Sequence, residues 1–141
     1  MNASDGLPAP KYLLDTNICI YAMNGNVGVL KKFRDAGREA MAVSSLAMAE
    51  MAFGVAKSQR IAENTAALKR FHAGLRVLPW DDSAMWIYGE HFFRLQKAGR
   101  KIGEVDLLLA CQALALNATM VTNNTREFER IEGLKLENWV A

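Results

Sequence analysis

The sequence predicts a single α/β domain, a short parallel central sheet of four to five strands flanked by helices. Three observations carry this. Short apolar runs of strand length recur along the chain, at 11–15, 40–43, 76–78 and 119–122. Longer stretches with helix-type starts and stops lie between them, and that alternation is the mark of parallel strands joined by helical crossovers. The length, 141 residues, suits one domain. A domain of this size buries roughly 70% of the surface its unfolded chain exposes, so it needs no disulfide or structural metal to hold a core.

Taken in order, Lys11-Tyr12-Leu13-Leu14-Asp15 is mostly apolar, ends in an acid and reads as a buried strand. Residues 16–23 form a helix closed by Asn24-Gly25-Asn26. A polar-faced helix over 27–36 stops near Gly37, and 40–43 is a second buried strand. Ser44 and Ser45 offer capping oxygens to a helix reaching about Lys57. A helix over 59–73 stops at Gly74, and Arg76-Val77-Leu78 is a third strand ended by Pro79. Asp82 or Ser83 caps a long helix to Ala98, and Asp106 opens an Ala/Leu-rich helix through 116. Thr119-Met120-Val121-Thr122 is a fourth strand, Asn123-Asn124 a turn, and Leu134-Lys135-Leu136 a shorter fifth strand. Residues 1–10 are polar and proline-bearing, lack an apolar signal core, and are expected to form a disordered leader before a domain over 11–141.

Composition excludes several classes. Apolar residues make up 51% and charged residues 23%, which is globular and not disordered. Seventeen basic residues against fifteen acidic ones give +2, too balanced to argue for nucleic acid, so a phosphate-binding surface has to come from local clustering. Cys19 and Cys111 lie in apolar helical runs without ligand spacing and read as buried reduced thiols. No run reaches the ~18 apolar residues a membrane span needs. The expectation is a soluble cytoplasmic protein.

In an open α/β sheet, ligands gather outside the carboxyl ends of the strands. Three acids fall where they can converge there: Asp15 at the end of the first strand, Glu50 in the helix after the second, and Asp106 at the start of the helix leading to the fourth. Asp15 and Asp106, each taken alone, fit helix capping as readily as function. Glu50 lies in an Ala/Met/Phe-rich segment with no Lys or Arg three or four residues away, so it needs a cation or must face solvent. Together, three carboxylates at one edge repel unless a cation lies between them. An all-oxygen set selects hard ions, Mg²⁺ or Mn²⁺, over zinc. Such ions serve phosphodiester hydrolysis by activating a water and neutralising phosphate charge. Basic residues flank this edge: Arg94, Lys97, Arg100 and Lys101 before Asp106, Arg126 and Arg130 after the fourth strand. They read either as a solvated helix face or as a guide for an RNA backbone.

Four segments in order then resemble a known family. Leu13-Leu14-Asp15-Thr16-Asn17-Ile18-Cys19-Ile20-Tyr21 is similar to the opening motif of PIN-domain toxins of the VapC type. Ser44-Ser45-Leu46 with Ala49-Glu50 and Gly54 resembles their second motif, and Ile102-Gly103-Glu104-Val105-Asp106-Leu107-Leu108-Leu109-Ala110 their third. Val121-Thr122-Asn123-Asn124-Thr125-Arg126-Glu127-Phe128 resembles the fourth. The resemblance implies a PIN fold, a Mg²⁺-dependent endoribonuclease acting on tRNA, homodimerisation, and neutralisation by a VapB-type antitoxin. It makes Asp15, Glu50 and Asp106 the acidic catalytic and metal-site residues, supported by Thr16 and Asn17. One departure stands out: Asn124 occupies the position where many PIN domains carry a fourth acid. Asn offers an oxygen without charge, Glu127 is a substitute carboxylate three residues on, and a single metal ion is the default. Glu104 reads as a spare acid, outer to the site or exposed.

His72 and His91 are isolated and lack ligand spacing. Trp80, Trp86, Phe92 and Phe93 lie on or beside one helix and fit core, dimer interface or antitoxin groove equally. An amphipathic antitoxin helix is expected near Met48, Met51 and Phe53, with an arginine among the three acids. Two rivals compete. A receiver-type signalling domain has similar length and finds an acidic pair in Asp81-Asp82, but lacks the acids after the first strand and the lysine after the last. A non-catalytic PIN-like binding module is kept open by Asn124.

Overall fold

Tyr12–Leu14 (β1) is hydrogen-bonded along both edges, and this fixes the rest of the architecture. In the computed structural model, which describes residues 5–141, β1 pairs with Met41–Ser44 (β2) on one side and Thr119–Val121 (β4) on the other. Val77–Leu78 (β3) extends the sheet beyond β2, and Leu136–Glu137 (β5) extends it beyond β4. The order is β3-β2-β1-β4-β5, with every pairing parallel. This matches the expected short parallel sheet. It also separates the fold from a receiver, whose doubly wound sheet runs 2-1-3-4-5.

The crossovers are helices: Thr16–Met23 (α1) and Val27–Ala36 (α2), Ser45–Ala56 (α3) and Ile61–Ala73 (α4), then Met85–Lys97 (α5) and Glu104–Leu116 (α6). Thr125–Phe128 (α7) is one turn long. Local chemistry sets their ends. The Ser44 hydroxyl accepts from Leu46 N at 3.1 Å and starts α3. Asn117, at φ +53°, ends α6 in the left-handed conformation that Asn tolerates better than most residues. The strands carry Leu13, Leu14, Val43, Met120 and Val121 into the core, where Ile18, Leu109 and Phe128 meet them with no exposure. Trp139 closes one flank edge-on to Tyr12 and Phe33, with ring centroids 4.8 and 6.1 Å away. Cys19 and Cys111 are buried and free, as expected, and burial pushes both thiols well up, Cys111 to about 12.

The structure corrects four readings. Residues 1–4 of the expected leader lie outside the described residues, but 5–10 are not loose. Arg76, only 2% exposed, donates through Nε and Nη2 to the two Asp5 carboxylate oxygens at 2.9 and 3.0 Å. It also reaches the Pro8 carbonyl at 3.0 Å and the Glu39 carbonyl. A buried guanidinium needs these partners, and residue 5 is one of them. The helix expected to open at Asp106 begins two residues earlier, with Gly103 at the cap position and Asp106 inside the first turn. Asp81, not Asp82 or Ser83, caps the segment before α5, accepting from Ser83 N at 3.0 Å over a single 3-10 turn. Residues 125–128, which carry no expected element after the Asn123-Asn124 turn, form α7.

Candidate active site at the carboxyl edge of the sheet

The chain leaves β1 toward β2 on one side and later returns to β4 on the other, so the carboxyl ends of β1 and β4 bound a topological switch point. Asp15 stands there, 4% exposed. Its Oδ1 accepts from Thr16 N at 2.8 Å. Its Oδ2 accepts from the Thr122 hydroxyl at 2.8 Å and from Asn17 Nδ2 at 3.3 Å. Thr122 is fixed in turn, since its Oγ1 accepts from Asn124 N at 2.9 Å. Burial pushes the Asp15 carboxyl up; the Thr122 and Thr16 donors oppose this, while the charges of Glu50 and Glu127 add to the rise.

Thr16 joins the second acid to the first, because its hydroxyl donates to Glu50 Oε1 at 2.6 Å. The sequence leaves burial or exposure of Glu50 open, and the structure makes it exposed. Asp106 is half-buried and its carboxyl is pushed up to about 7. Burial is the main cause, followed by the charges of Asp15, Glu127 and Glu50 and a hydrogen bond shared with Glu127. Its place in the first turn of α6 favours the anion by only about 0.3–1 kcal/mol, too little to offset those effects. Capping therefore does not account for Asp106.

Glu127 completes the cluster. Gly103 N donates to its Oε1 at 3.0 Å and Asn124 Nδ2 to its Oε2 at 2.5 Å. Asn124 thus serves here as a donor to the neighbouring acid. A methyl group at position 103 would meet Asp106 Oδ2 at 3.2 Å, close enough that the carboxylate would have to shift. Sequence reasoning misses two participants, the Thr122 hydroxyl and the Gly103 N–H. A threonine closing a strand beside an acid-ended one is the available signal for the first; the second is a backbone group and leaves none.

Four carboxylates facing one edge, with no Lys or Arg in an ion pair with any of them among the described residues, form an uncompensated negative cluster. The all-oxygen donor set fits a hard divalent cation. In the conformations shown, no three acidic, histidine or cysteine side chains among the described residues stand close enough to hold an ion. Glu50 is turned to Thr16, and Glu127 to Gly103 and Asn124. A bound cation would relieve the repulsion among the carboxylates.

The remaining candidates sort clearly. Arg100, Lys101, Arg126 and Arg130 share one open depression of about 750 Å³. Arg94 lies elsewhere, paired to Glu90 at 2.5 Å and to Glu132 at 3.2 Å. Lys97 sits over the Phe93 ring, 5.6 Å from its centroid. These two do not join the patch, because they sit on α5 rather than on the loop that follows it. Glu104 and His72 are exposed, and His91 is half-buried. Trp80 packs inward with Nε1 donating to Leu108 O at 2.8 Å, whereas Trp86 and Phe93 are 80% and 60% exposed. The apolar groove is also displaced from its expected lining. It runs between α1, α3 and α4, past Ile20, Met23, Met51, Val55 and Leu68, and ends at Thr16 and Glu50. Met48 packs against the core and Phe53 faces solvent under Lys57.

A 3-2-1-4-5 parallel sheet with carboxylates collected at its switch point is the arrangement of a PIN domain. Residues 12–134 match the PIN domain family, and the chain belongs to that family. Its relatives lie among the VapC ribonucleases. It is 41% identical over 135 residues to Ribonuclease VapC2 of Rickettsia felis, covering 91% of this chain and 97% of that protein. It is 35% identical over 129 residues to the tRNA(fMet)-specific endonuclease VapC of Shigella flexneri, covering 92% and 98%. Among solved structures it resembles DNA-bound VapBC from Salmonella typhimurium, with a TM-score of 0.87 at 33% identity over 92% of this chain and 98% of that one. VapBC2 of Rickettsia felis bound to a promoter DNA fragment gives a TM-score of 0.84 at 38% identity over 91% and 98%.

Proposed function

We propose that this protein is a divalent-metal-dependent endoribonuclease of the VapC type that cleaves tRNA and is held in check by a VapB-type antitoxin. The observation that carries the reading is the carboxylate cluster of Asp15, Glu50, Asp106 and Glu127 at the switch point. Asp15, Glu50 and Asp106 are the proposed holders of Mg²⁺ or Mn²⁺, with Glu127 as the fourth carboxylate in place of an acid at 124. When bound, such an ion supplies positive charge to the phosphate and makes a water easier to deprotonate. The chain's own part is positional. Thr122, Asn17 and Thr16 fix the Asp15 carboxylate, Thr16 fixes Glu50, and Gly103 and Asn124 fix Glu127. The raised Asp106 carboxyl belongs to the ion-free site, and binding a cation there would displace its proton.

The relatives' names support the RNA substrate, and the VapBC complexes support the antitoxin. The groove ending at Thr16 and Glu50 suits an amphipathic helix whose end reaches the acids. The exposed Trp86 and Phe93 suit a second copy of the chain. Residues 11–141 act as one unit in this reading. No helix among the described residues is long and apolar enough to cross a membrane, and the proposed site of action is the bacterial cytoplasm.

The test is cleavage of tRNA by the purified protein freed of partner, with chelator, Mg²⁺ or Mn²⁺. The expected result is cutting that needs the ion, disappears in Asp15→Asn, and stops on adding the antitoxin. Folded protein that binds the antitoxin but leaves RNA intact with either ion would return the binding-module reading.

A further inference from the structure

Four cations crowd one side of the acidic edge. The depression that Arg100, Lys101, Arg126 and Arg130 share is open to solvent and contains a single acid, Glu129. None of the four cations is in an ion pair among the described residues, whereas Lys31, Arg60, Arg76 and Arg94 all are. Their charge is uncommitted.

The depression is also built into the fold. Gly99, at φ +68°, turns the chain out of α5, and Arg100 N returns to Leu95 O at 2.9 Å. Arg130 donates to the Lys101 carbonyl, tying this loop to the end of α7. Two residues beyond Lys101, Gly103 N holds Glu127, the immediate neighbour of Arg126. Two residues of chain span at most ~7 Å, so the backbone that carries Lys101 lies beside the backbone group that holds Glu127. No aromatic ring lines the depression, so it offers no surface on which a base could stack. Guanidinium and ammonium groups without a stacking partner read backbone charge, not base identity.

We infer that the Arg100/Lys101/Arg126/Arg130 depression binds a non-scissile phosphate of single-stranded RNA next to the bond that is cut. The inference rests on the nuclease reading above and adds to it the subsite that holds the flanking backbone. Its occupant is phosphate in any sequence context, so losing it should weaken all substrates alike.

Two measurements test it. Steady-state cleavage of an RNA oligonucleotide at several salt concentrations compares parent, Lys101→Ala, Arg126→Ala and Arg126→Lys, with Lys69→Ala as a distant charge control. The second is fluorescence-anisotropy binding of the same RNA to these variants in an Asp106→Asn background. Expected for Lys101→Ala and Arg126→Ala are a several-fold rise in KM and Kd with kcat within about twofold. The log–log salt slope should become shallower by about 0.7 for each phosphate that is no longer neutralised. Arg126→Lys should keep the slope, and Lys69→Ala should behave as parent. Unchanged KM, Kd and slope in both alanine variants, with the parent still cleaving, overturn the subsite and leave the nuclease reading standing. A fall in kcat at constant KM overturns it too, because the groups would then act on the reacting phosphate. Equal effects on duplex DNA overturn the assignment to RNA. If the parent cuts nothing, the nuclease reading fails, and the anisotropy slope alone decides the subsite.

Discussion

Replacing Asp106 by asparagine removes one charge from the cluster and keeps the shape of the side chain, so its effect on stability is calculable in sign and scale. In the folded chain this carboxyl is raised from 3.8 to about 7. At about 1.4 kcal/mol per unit, the full shift corresponds to about 4 kcal/mol against folding with the group ionised. Asp106 is only half-buried, and solvent screening reduces this to on the order of 1–2 kcal/mol. A raised folded-state value means the contribution is fully present below the unfolded value near 4 and is lost as pH rises through about 7. In chelator, the parent should lose roughly 1–2 kcal/mol from this group between about pH 4 and pH 8, and Asp106→Asn should not. The variant should therefore be the more stable protein at about pH 8, with the gap closing toward pH 4. Other carboxylates titrate too, among them Asp5, Asp35 and Asp81 in the opposite sense, so the difference between the two proteins is what isolates Asp106. Urea unfolding at pH 4, 6 and 8 measures it. Adding Mn²⁺ at pH 8 should then stabilise the parent, by about 2.7 kcal/mol at one hundred times Kd, and the variant far less. A variant less stable than the parent at pH 8 would refute the reasoning, because Asp106 would then be supporting the start of α6 instead of being repelled there.

Asn124→Asp should act in two directions: the Asn124 donor to Glu127 is lost, so the ion-free protein becomes less stable, while Mn²⁺ binds tighter by roughly 1 kcal/mol, about fivefold, by calorimetric titration. Arg76→Ala should lower stability in denaturant unfolding by about 1–3 kcal/mol, since it empties the space of a side chain only 2% exposed and frees the solvent-facing Asp5 and Pro8 from it. Gly28→Ala should cost about 1–3 kcal/mol, because its methyl would meet Ala141 N and Trp139 O at 2.8 Å; thermal melting of the purified variant checks this.

What the sequence makes legible follows from the range over which each signal acts. The boundaries of α1 and α2 agree with their reading because caps, turn residues and apolar patterning are local. Asp15 is legible because an apolar run ending in an acid puts that acid at the sheet edge. Helix α7 escapes because four residues give no periodicity to read. The anchoring of residues 5–10 depends on Asp5 meeting Arg76, 71 positions away, and no local pattern announces such a pair. The apolar residues around Glu50 point toward burial, but α3 turns that position outward. Proximity in sequence groups Arg94 and Lys97 with the other basic residues, and the end of α5 leaves both of them outside the patch.

The bond between the Thr122 hydroxyl and Asp15 joins residues 107 positions apart. A ribosome adding about 5–20 residues per second makes Asp15 roughly 5–20 seconds before Thr122 exists to hold it. Until β4 is made and slots beside β1, Asp15 lacks that donor, and Glu127, which follows Thr122 in the chain, has not been made either. A chain still being translated therefore cannot assemble its acidic edge, and truncated products ending before β4 should be inert in the cell that makes them.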